Sequence, residues 1–407
     1  MSRYFDDQET RSAPARSRDW AERLPQVVAA AQATSAGATR LAEVDPALIT
    51  SAEDLAGLPV LRKSDLVELQ GANAPFGGLT AVPATGFAHV FQSPGPIYEP
   101  GQRSRDWWRM GRFLSAAGVG DGDVVQNCFS YHMTPAGMIF ENGAAAVGAT
   151  VFPAGTGQTD QQVAAAAALG VSVYAGTPDY LKIILEAADE QGIDLSRITR
   201  AVVGGGPLFP SLRDWYSARG ITCLQCYATA DCGNIAYESP AMEGMIVDEG
   251  ALVEIVTPGT GDPVAEGEVG EVLVTLGNLD YPLLRFATGD LSAVLPGASP
   301  CGRTNMRIKG WMGRADQAAK VKGMFVRPEQ VAQVLKKVGG LGRGRLVISR
   351  EGESDAMALR VEGPQGAAEA LKAALRDVTK LRGTVEMVAP GSLPADGIVI
   401  EDSRDFG

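Results

Sequence analysis

The feature that most constrains the fold is a regular alternation of short apolar segments with amphipathic ones, from about residue 85 to residue 232. The amphipathic segments, at 135–147, 160–169 and 180–191, have the length of helices. The apolar segments that separate them predict strands: DVVQNCF, ATVFPA, VSVYAG, RAVVGGG and ITCLQCY. Such alternation favours a largely parallel sheet with helices on both faces, and we therefore predict an α/β fold.

The segments on either side of this region predict additional parts. A chain of 407 residues exceeds one ordinary core, which favours one large domain and a smaller one. The first seventy or so residues are rich in alanine and predict helices. After Cys232, ALVEIVTP and GEVLVTL predict a β-rich subdomain. The last ninety or so residues combine helical segments at 328–338 and 366–379 with RLVISR and TVEMVA, which predicts a small α+β domain.

Composition excludes several classes of partner. The net charge of −12 argues against nucleic acid or an anionic membrane surface. No apolar run approaches the roughly 20 residues that span a bilayer, and the first residues lack the apolar core of a signal peptide. We therefore predict a cytoplasmic protein. An odd count of five cysteines without paired spacing predicts reduced thiols.

Four segments, in order along the chain, carry a resemblance to a known family. They are the stretch from GRFLSAAGVGDG to ATVFPAG, the stretch 203–207 with CYATADCG further on, YPLLRFATGDL, and GRADQAAKVKGMFVRPEQVAQVL. Together they resemble the phenylacetate–CoA ligase branch of the adenylate-forming enzymes. The resemblance implies the adenylate-forming ligase fold, with a large N-terminal domain over 1–313. A small mobile C-terminal domain would cover 314–407, with a hinge near Asp316.

This resemblance implies a two-step reaction in which ATP and a carboxylic acid give an acyl-adenylate that coenzyme A then attacks. It also implies homodimers. By the same resemblance Tyr227 would stack on adenine, Asp290 would hold the ribose hydroxyls, and Arg314 would lie beside it. Lys320 and Lys322 would meet the phosphates of coenzyme A or of a carrier's phosphopantetheine. Structural roles, in a turn, a buried strand or a solvated edge, are the alternatives for these residues.

The chain departs from the family where ATP is handled. The phosphate loop reads SPGPIYEP, so that Ser93 and Gly95 are followed by a second proline and by Glu99, a negative charge where a positive one is wanted. The usual Thr-Glu pair has become Ala230-Asp231, and Ile398 falls about where the adenylation lysine would be. Gly206 likewise replaces an acidic residue of the adenine loop. These changes argue against the binding of ATP and magnesium, and they predict that adenylation is impaired or abandoned.

Some relatives hold a structural metal with cysteine and histidine. Here Ser239 and Ile246 stand where ligands would be, and only Cys301 remains. A closed zinc site needs four ligands, so we predict no metal.

Three residues are candidates for the surviving chemistry. His132, in SYHMTPAG, resembles a position lining the acyl pocket, and histidine moves protons near neutral pH. Asp231 and Cys232 would sit beside the acyl site, and Cys232 would be a nucleophile if a base lay near it. A histidine with a satisfied hydrogen bond and an inert buried thiol are the alternatives. The predicted substrate pocket also includes Tyr131, Gly204 and Gly205.

Three functions remain open from the sequence. The leading hypothesis is a repurposed ligase-fold enzyme that transfers, hydrolyses or cyclises an aryl or polyketide-like acyl thioester without ATP. The thioester would be carried by coenzyme A or by an acyl carrier protein. The alternatives are an ATP-dependent aryl-acid–CoA ligase with an unusual phosphate loop, or a non-catalytic homologue that binds a ligand.

Overall fold

The protein forms two compact units, each of which is described separately. The computed structural model describes residues 4–315, 317, 319–321, 324–351 and 354–404. The first unit contains the chain up to 253 together with 274–286 and 295–310; the second contains 254–273, 287–294 and the described residues from 311 onward. The predicted domain boundary between 313 and 314 stays a prediction, and its hinge residue Asp316 lies outside the described residues.

The helices and strands follow in chain order. The α-helices are α1 Ala13–Gln32, α2 Ser35–Arg40, α3 Ala52–Leu55, α4 Leu66–Ala72, α5 Gly111–Ala116, α6 Ala136–Ala146, α7 Thr159–Leu169, α8 Pro178–Gln191, α9 Pro210–Ala218, α10 Pro328–Val338 and α11 Ala368–Thr379. Short 3-10 helices cover Asp7–Thr10, Pro46–Leu48, Lys63–Asp65, Ala84–Gly86 and Gln365–Ala367. The strands are β1 Leu61–Arg62, β2 His89–Ser93, β3 Ile97–Gly101, β4 Val124–Asn127, β5 Thr150–Phe152, β6 Val173–Gly176, β7 Arg200–Val203, β8 Thr222–Thr229, β9 Gly233–Tyr237, β10 Met245–Val247, β11 Ala251–Val256, β12 Gly270–Leu276, β13 Phe286–Ser292, β14 Val294–Leu295, β15 Arg307–Ile308, β16 Ala319–Val321, β17 Met324–Val326, β18 Gly344–Glu351, β19 Ser354–Glu362, β20 Thr384–Val388 and β21 Ile400–Asp402.

The central sheet of the first unit contains the predicted alternating region. Its strands run in the order β14-β15-β10-β9-β8-β7-β6-β4-β5. The pairs from β5 to β8 are parallel, and those from β8 to β15 are antiparallel. The carboxyl ends of parallel strands meet at one edge, where α/β folds place their ligands. The predicted α/β fold is therefore confirmed.

Helix α8 shows why these residues form helices. Proline occupies its first turn, where the missing N–H is not needed, and Gly192 ends it with a positive φ of 64°. Its buried side chains recur at helical spacing, at Leu181, Ile184, Leu185 and Ala188. They pack in a cluster with strands β6 and β7, so the helix covers one face of the parallel sheet.

A β-hairpin takes the place of the loop that the resemblance assigns to phosphate. Strands β2 and β3 are antiparallel, with Ser93 opposite Ile97 and Phe91 opposite Glu99. Residues 94–96, Pro-Gly-Pro, form the connecting turn, in which Gly95 adopts a φ of 141° that favours glycine. Because proline has no N–H, Gly95 supplies the only backbone donor of this turn.

The second unit contains a four-stranded sheet in the order β20-β19-β18-β21. Strands β18 and β19 are antiparallel, whereas β19 pairs parallel with β20 and β18 pairs parallel with β21. Helices α10 and α11 share one apolar cluster with this sheet. The predicted α+β character is confirmed, but the βαβ unit consists of β19, α11 and β20, and the sequence analysis missed β19 and β21.

Membrane-spanning helices were also sought. Within the described residues, every helix is too short or too polar to cross a bilayer.

Candidate active site

A buried lysine–carboxylate pair lies at the end of strand β8. Asp231 belongs to the turn between β8 and β9, and its side chain has no exposed surface. Lys63 Nζ donates to Asp231 Oδ2 at 2.7 Å, and 30% of the lysine side chain is exposed. The other oxygen, Oδ1, is buried and has no hydrogen-bond partner among the described atoms. Asp231 therefore offers one unused acceptor to a ligand.

A second carboxyl group, that of Glu99, lies near this pair. Strand β3 carries it, and the side chain is fully buried. Ser93 Oγ donates to Glu99 Oε1, whereas Oε2 is buried without a partner among the described atoms. Burial raises the pKa of Glu99 to about 7, and the charge of Asp231 adds to this effect although Ser93 and Lys63 oppose it. Glu99 can therefore exchange a proton near neutral pH.

The carboxyl groups near Lys63 favour the protonated form of its side chain. Burial alone would lower the pKa of its ammonium group, but Asp231 and Glu99 raise the pKa overall. The ammonium group is thus a fixed positive charge beside two carboxyl groups, and part of its side chain faces solvent.

Cys232, next to Asp231, is buried as a neutral thiol. Its backbone N–H donates to Thr229 Oγ1 at 3.0 Å, which fixes the turn. Burial raises the pKa of the Cys232 thiol to about 12. The predicted role as a nucleophile stays a prediction, and the raised pKa counts against it, because the thiolate is the reactive form.

His132 lies in an exposed loop that contacts strand β2. Its backbone N–H donates to Ser130 Oγ at 3.1 Å, and the N–H of Gln92 in β2 donates to the carbonyl of Met133 at 2.8 Å. The loop therefore packs against the strand that pairs with β3. The imidazole is exposed and has no hydrogen bond among the described contacts, so a catalytic role for His132 stays a prediction.

Tyr131 is fixed by its hydroxyl group. It donates to Glu141 Oε2 at 2.8 Å and accepts from Asn127 Nδ2 at 2.8 Å. Burial and the neighbouring carboxylate raise the pKa of the phenol well above its usual range. The residue is half-buried, and its place in a substrate pocket stays a prediction.

The glycines predicted for the pocket follow strand β7. A Cβ on Gly204 would lie 3.0 Å from Cys226 Sγ, and Gly205 has a φ of 69°, so both positions favour glycine. Tyr227 is 8% exposed in β8, next to a register shift between Tyr227 and Ala228. The structure thus keeps close backbone packing at this edge of the sheet, and the predicted contacts with adenine or substrate stay predictions.

In the second unit, Asp290 is held by two donors from the segment 311–315. Arg314 Nη1 donates to Asp290 Oδ1 at 2.8 Å, and Trp311 Nε1 donates to the same oxygen at 3.2 Å. The backbones pair as well, because Leu291 N donates to the carbonyl of Gly313 at 2.9 Å. Asp290 and Arg314, predicted from separate motifs, therefore lie in direct contact.

The segment around Ile398 is fixed from two sides in the same unit. Gln317 Oε1 accepts from the N–H of Ile400 at 2.8 Å, and its Nε2 donates to the carbonyl of Gly397 at 2.9 Å. Arg345 Nε donates to the carbonyl of Ile398 at 3.1 Å. The Ile398 side chain is 38% exposed, so this position accepts a longer side chain.

Two predicted lysines follow in the same part of the chain. The backbone of Lys320 pairs with Phe325 in the β16–β17 hairpin. Lys322 lies outside the described residues. Contacts of either lysine with a phosphate stay predictions.

The position that the resemblance assigns to a structural metal contains a hydrogen-bonded thiol, that of Cys301. Burial alone would raise the pKa of Cys301, but hydrogen bonds from Ser239, Ser299 and Arg303 lower it overall. Ile246 is buried in the core beside β9. Among the described residues, no three His, Cys, Asp or Glu side chains converge as metal ligands. The absence of zinc stays a prediction.

Comparison with known proteins decides the family. The AMP-binding enzyme family matches residues 107–278. A phenylacetate-coenzyme A ligase of Thermus thermophilus is 32% identical over 337 residues, covering 79% of this chain and 75% of the relative. The chain belongs to the phenylacetate–CoA ligase family. A phenylacetate-coenzyme A ligase of Escherichia coli is 30% identical over 341 residues, covering 79% and 76% of the two chains.

A solved structure resembles this member of the family along almost its whole length. It is 2-hydroxyisobutyryl-CoA ligase in complex with 2-HIB-AMP, with a TM-score of 0.73 and 25% identity. The similarity covers 99% of this chain and 93% of that one. The same ligase in complex with 2-HIB-AMP and CoA gives a TM-score of 0.72. The predicted adenylate-forming ligase fold is confirmed.

Lys63 is the residue of the site that the sequence analysis missed. Its partner Asp231 is 168 positions away in the chain, and a single lysine in a helix-like segment carries no signal of its own. A buried pair of carboxyl groups needs a cation nearby, but the proximity of Glu99 and Asp231 is visible only in the fold.

Proposed function

We propose that this family member is an ATP-dependent ligase that joins a small carboxylic acid to coenzyme A through an acyl-adenylate. This is the alternative of the sequence analysis, and the comparisons favour it over ATP-independent thioester processing. Its main support is the similarity over 99% of the chain to a ligase solved with an acyl-adenylate and with CoA. A carrier-protein partner and a homodimer stay predictions.

The nucleoside part of ATP would bind at Asp290. A carboxylate accepts two neighbouring hydroxyl groups, as ribose presents them, and charged acceptors make the stronger hydrogen bonds. Arg314 orients the carboxylate through its 2.8 Å contact. The residue thus binds and orients the nucleotide without taking part in proton transfer.

Asp231 fits a magnesium ion that accompanies ATP. Magnesium takes oxygen ligands and is commonly bound through one or two carboxylates together with substrate phosphates. Asp231 Oδ1 is buried and has no partner among the described atoms, while Lys63 Nζ lies 2.7 Å from the other oxygen, Oδ2. Bound there, the ion would neutralise charge that develops on the phosphates.

The chain would offer the phosphates fewer groups than the resemblance leads one to expect. The Pro-Gly-Pro turn offers only the N–H of Gly95, and Ile398 brings no charge. Lys63 supplies a positive charge beside Asp231 at the carboxyl end of the parallel strands. We therefore expect adenylation to proceed, but slowly.

Replacing Ile398 with lysine is expected to raise pyrophosphate release at least about tenfold, because a placed cation stabilises the charged transition state. The side chain is 38% exposed, and its backbone is fixed by Gln317 and Arg345, so the fold tolerates the change. Single-turnover release of pyrophosphate measures the effect. I398M is the uncharged control of similar length, and an equal gain in I398M would contradict a charge effect.

The function is tested by pyrophosphate release with a panel of aryl and short hydroxy acids, followed by thioester formation with CoA. We expect ATP- and acid-dependent release that D290A abolishes, while D262A, an exposed aspartate of the same unit, leaves it intact. Absence of pyrophosphate release with every acid, at enzyme concentrations suited to one turnover, would contradict the proposal.

Thioester processing without ATP is the second candidate, and Glu99 is the observation that favours it. A carboxyl group with a pKa of about 7 is suited to general acid–base catalysis near neutral pH. Loss of acyl-CoA in the absence of ATP, sensitive to E99Q, would support this candidate. Stable acyl-CoA under the same conditions would reject it.

A further inference from the structure

A largely buried arginine of the first unit, Arg109, has a backbone conformation that is uncommon for its residue type. Its φ is 61°, in the left-handed region that glycine, asparagine and aspartate favour. Only 15% of its side chain is exposed. Such a conformation persists where the surrounding contacts over-determine it, so the contacts of Arg109 indicate what the strained backbone maintains.

Those contacts converge on the turn that carries Asp231. Arg109 Nη2 donates to the carbonyl of Cys232, the next residue of the turn, and to the carbonyl of Asn234 at 3.1 Å. In return, Asn234 Nδ2 donates to the carbonyl of Arg109 at 3.2 Å, and Asn234 N donates to the carbonyl of Trp108 at 2.9 Å. The backbone of residues 108–109 and one guanidinium therefore hold the same turn.

The turn and the segment that holds it are in close contact. Gly233 has a φ of 68°, and a Cβ at this position would lie 2.8 Å from the carbonyl oxygen of Trp108. The pairing of β9 with β10 reaches Ala236, and the carbonyl of Ile235 accepts from the backbone of the residue after β10 at 2.9 Å. The carbonyls that Arg109 binds lie closer to the turn, so the guanidinium acts there in place of a neighbouring strand.

Arg109 is not needed to neutralise its acidic neighbour. Asp248 Oδ1 lies 3.6 Å from Arg109 Nε, and the Asp248 side chain has no exposed surface. The same carboxylate already accepts from Arg112 Nη1 at 3.0 Å and from the N–H of Gly250 at 2.8 Å. Arg109 Nε makes no hydrogen bond among the described atoms. The hydrogen bonds of this guanidinium within the described part of the chain therefore go to the turn.

We propose that Arg109 is a positioning residue, which fixes the turn 229–234 so that Asp231 presents its unused oxygen, Oδ1, in one direction. A guanidinium has its donors in a fixed plane, and so it sets the direction of the groups that it binds. Replacing a group that orients a metal ligand commonly costs about 10- to 100-fold in metal affinity or activity. The inference rests on the proposed function only in taking Asp231 to bind the magnesium ion of ATP.

The test compares R109K with R112K in the full chain. Lysine keeps the charge of Arg109 without its fixed donors, whereas R112K alters contacts to Asp6 and Asp248 in the same charged network. Single-turnover release of pyrophosphate is measured against the concentration of magnesium. We expect R109K to raise the magnesium concentration at the half-maximal rate about tenfold, and R112K to change it less than about twofold. A purely structural role would lower the melting temperature without moving this concentration.

Hydrogen exchange provides a second readout that needs neither activity nor a bound ligand. The peptide 229–237 is followed without magnesium or ATP in wild type, R109K and R112K. Backbone amides exchange when their segment opens locally, so we expect exchange in this peptide to be about tenfold faster in R109K than in the other two proteins.

The outcomes separate the positioning role from the proposed function. An unchanged magnesium dependence in R109K would overturn the positioning role and leave the ligase function intact. A wild type that releases no pyrophosphate would overturn the ligase function, and equal exchange in R109K and R112K would then overturn the positioning role as well. If R109K does not fold, N234A decides, because it removes the side-chain bond to the carbonyl of Arg109. Wild-type magnesium dependence in N234A would overturn the proposal.

Discussion

Replacing Asp231 with asparagine is expected to lower the single-turnover rate of pyrophosphate release by about 100- to 1,000-fold, the range seen when one electrostatic group is removed from an active site. The side chain has no exposed surface, and Oδ1 is an unused acceptor among the described atoms. Asparagine keeps the shape but removes the charge that both a magnesium ion and Lys63 require. The affinity for adenosine should remain, because Asp290 belongs to a different part of the chain.

Lys63 provides the reciprocal variant. K63M leaves Asp231 buried without its 2.7 Å partner, so we expect a loss of rate of at least about tenfold and lower stability. K63R should recover part of the rate. Equal rates in wild type, K63M and D231N would contradict a role of this pair in the reaction.

D123N is the matched control for both variants. Asp123 is also buried and paired, since Arg200 Nη1 donates to its Oδ2 at 2.9 Å, but it lies at the opposite end of strand β4 from the site. Its replacement should lower the melting temperature without a comparable loss of rate. A similar loss of rate in D123N would show that the effect of D231N is general destabilisation.

The second large effect is a dependence of stability on pH that Glu99 causes. Its pKa is about 7 in the folded protein and about 4.5 in an unfolded chain, so the folded state holds the proton more tightly. This stabilisation is fully present below about pH 4.5 and is lost as pH rises through about 7. The difference of about 2.5 pKa units corresponds to about 3 kcal/mol in the free energy of unfolding.

E99Q, a neutral analogue of the protonated group, isolates this contribution. Thermal unfolding without magnesium between about pH 5 and about pH 8 should show a falling stability in wild type and a flatter profile in E99Q. At the alkaline end E99Q should be the more stable protein. E43Q, at an exposed glutamate, should follow wild type. Parallel profiles of wild type and E99Q would show that Glu99 does not titrate in this range.

The fold could be predicted further than the site. Helix α10 was predicted at its observed bounds, and strands β4 to β7 fell within the predicted apolar segments, because local periodicity reports burial directly. Strand β8 extends two residues beyond its predicted segment. Strand β19 was missed because its sequence, DAMALRVE, mixes charged and apolar residues and so does not form an apolar segment. Its identity as a strand depends on pairing with β18 and β20, which no local pattern records.

The charged residues of the site were also only partly predictable, because their contacts depend on the fold. The sequence analysis identified Glu99 as a negative charge in the wrong place, and it is buried beside Asp231. The compensating cation, Lys63, could not be predicted, because long-range pairing follows from the fold and leaves no trace in spacing. Asp290 and Arg314 were identified because they belong to segments that resemble the family's motifs, and in the structure their side chains form a hydrogen bond.

If the proposed function holds, the single N–H of the turn at 94–96 has a consequence for the way this family member would respond to a cell's energy supply. Enzymes that wrap the phosphates in backbone N–H groups gain affinity with each phosphate, and so prefer ATP over its products. Here the binding free energy would come mainly from the nucleoside, at Asp290. ATP, ADP and AMP would then compete on nearly equal terms. The rate of acid activation would therefore follow the proportion of the adenylate pool that is ATP, and not its absolute concentration.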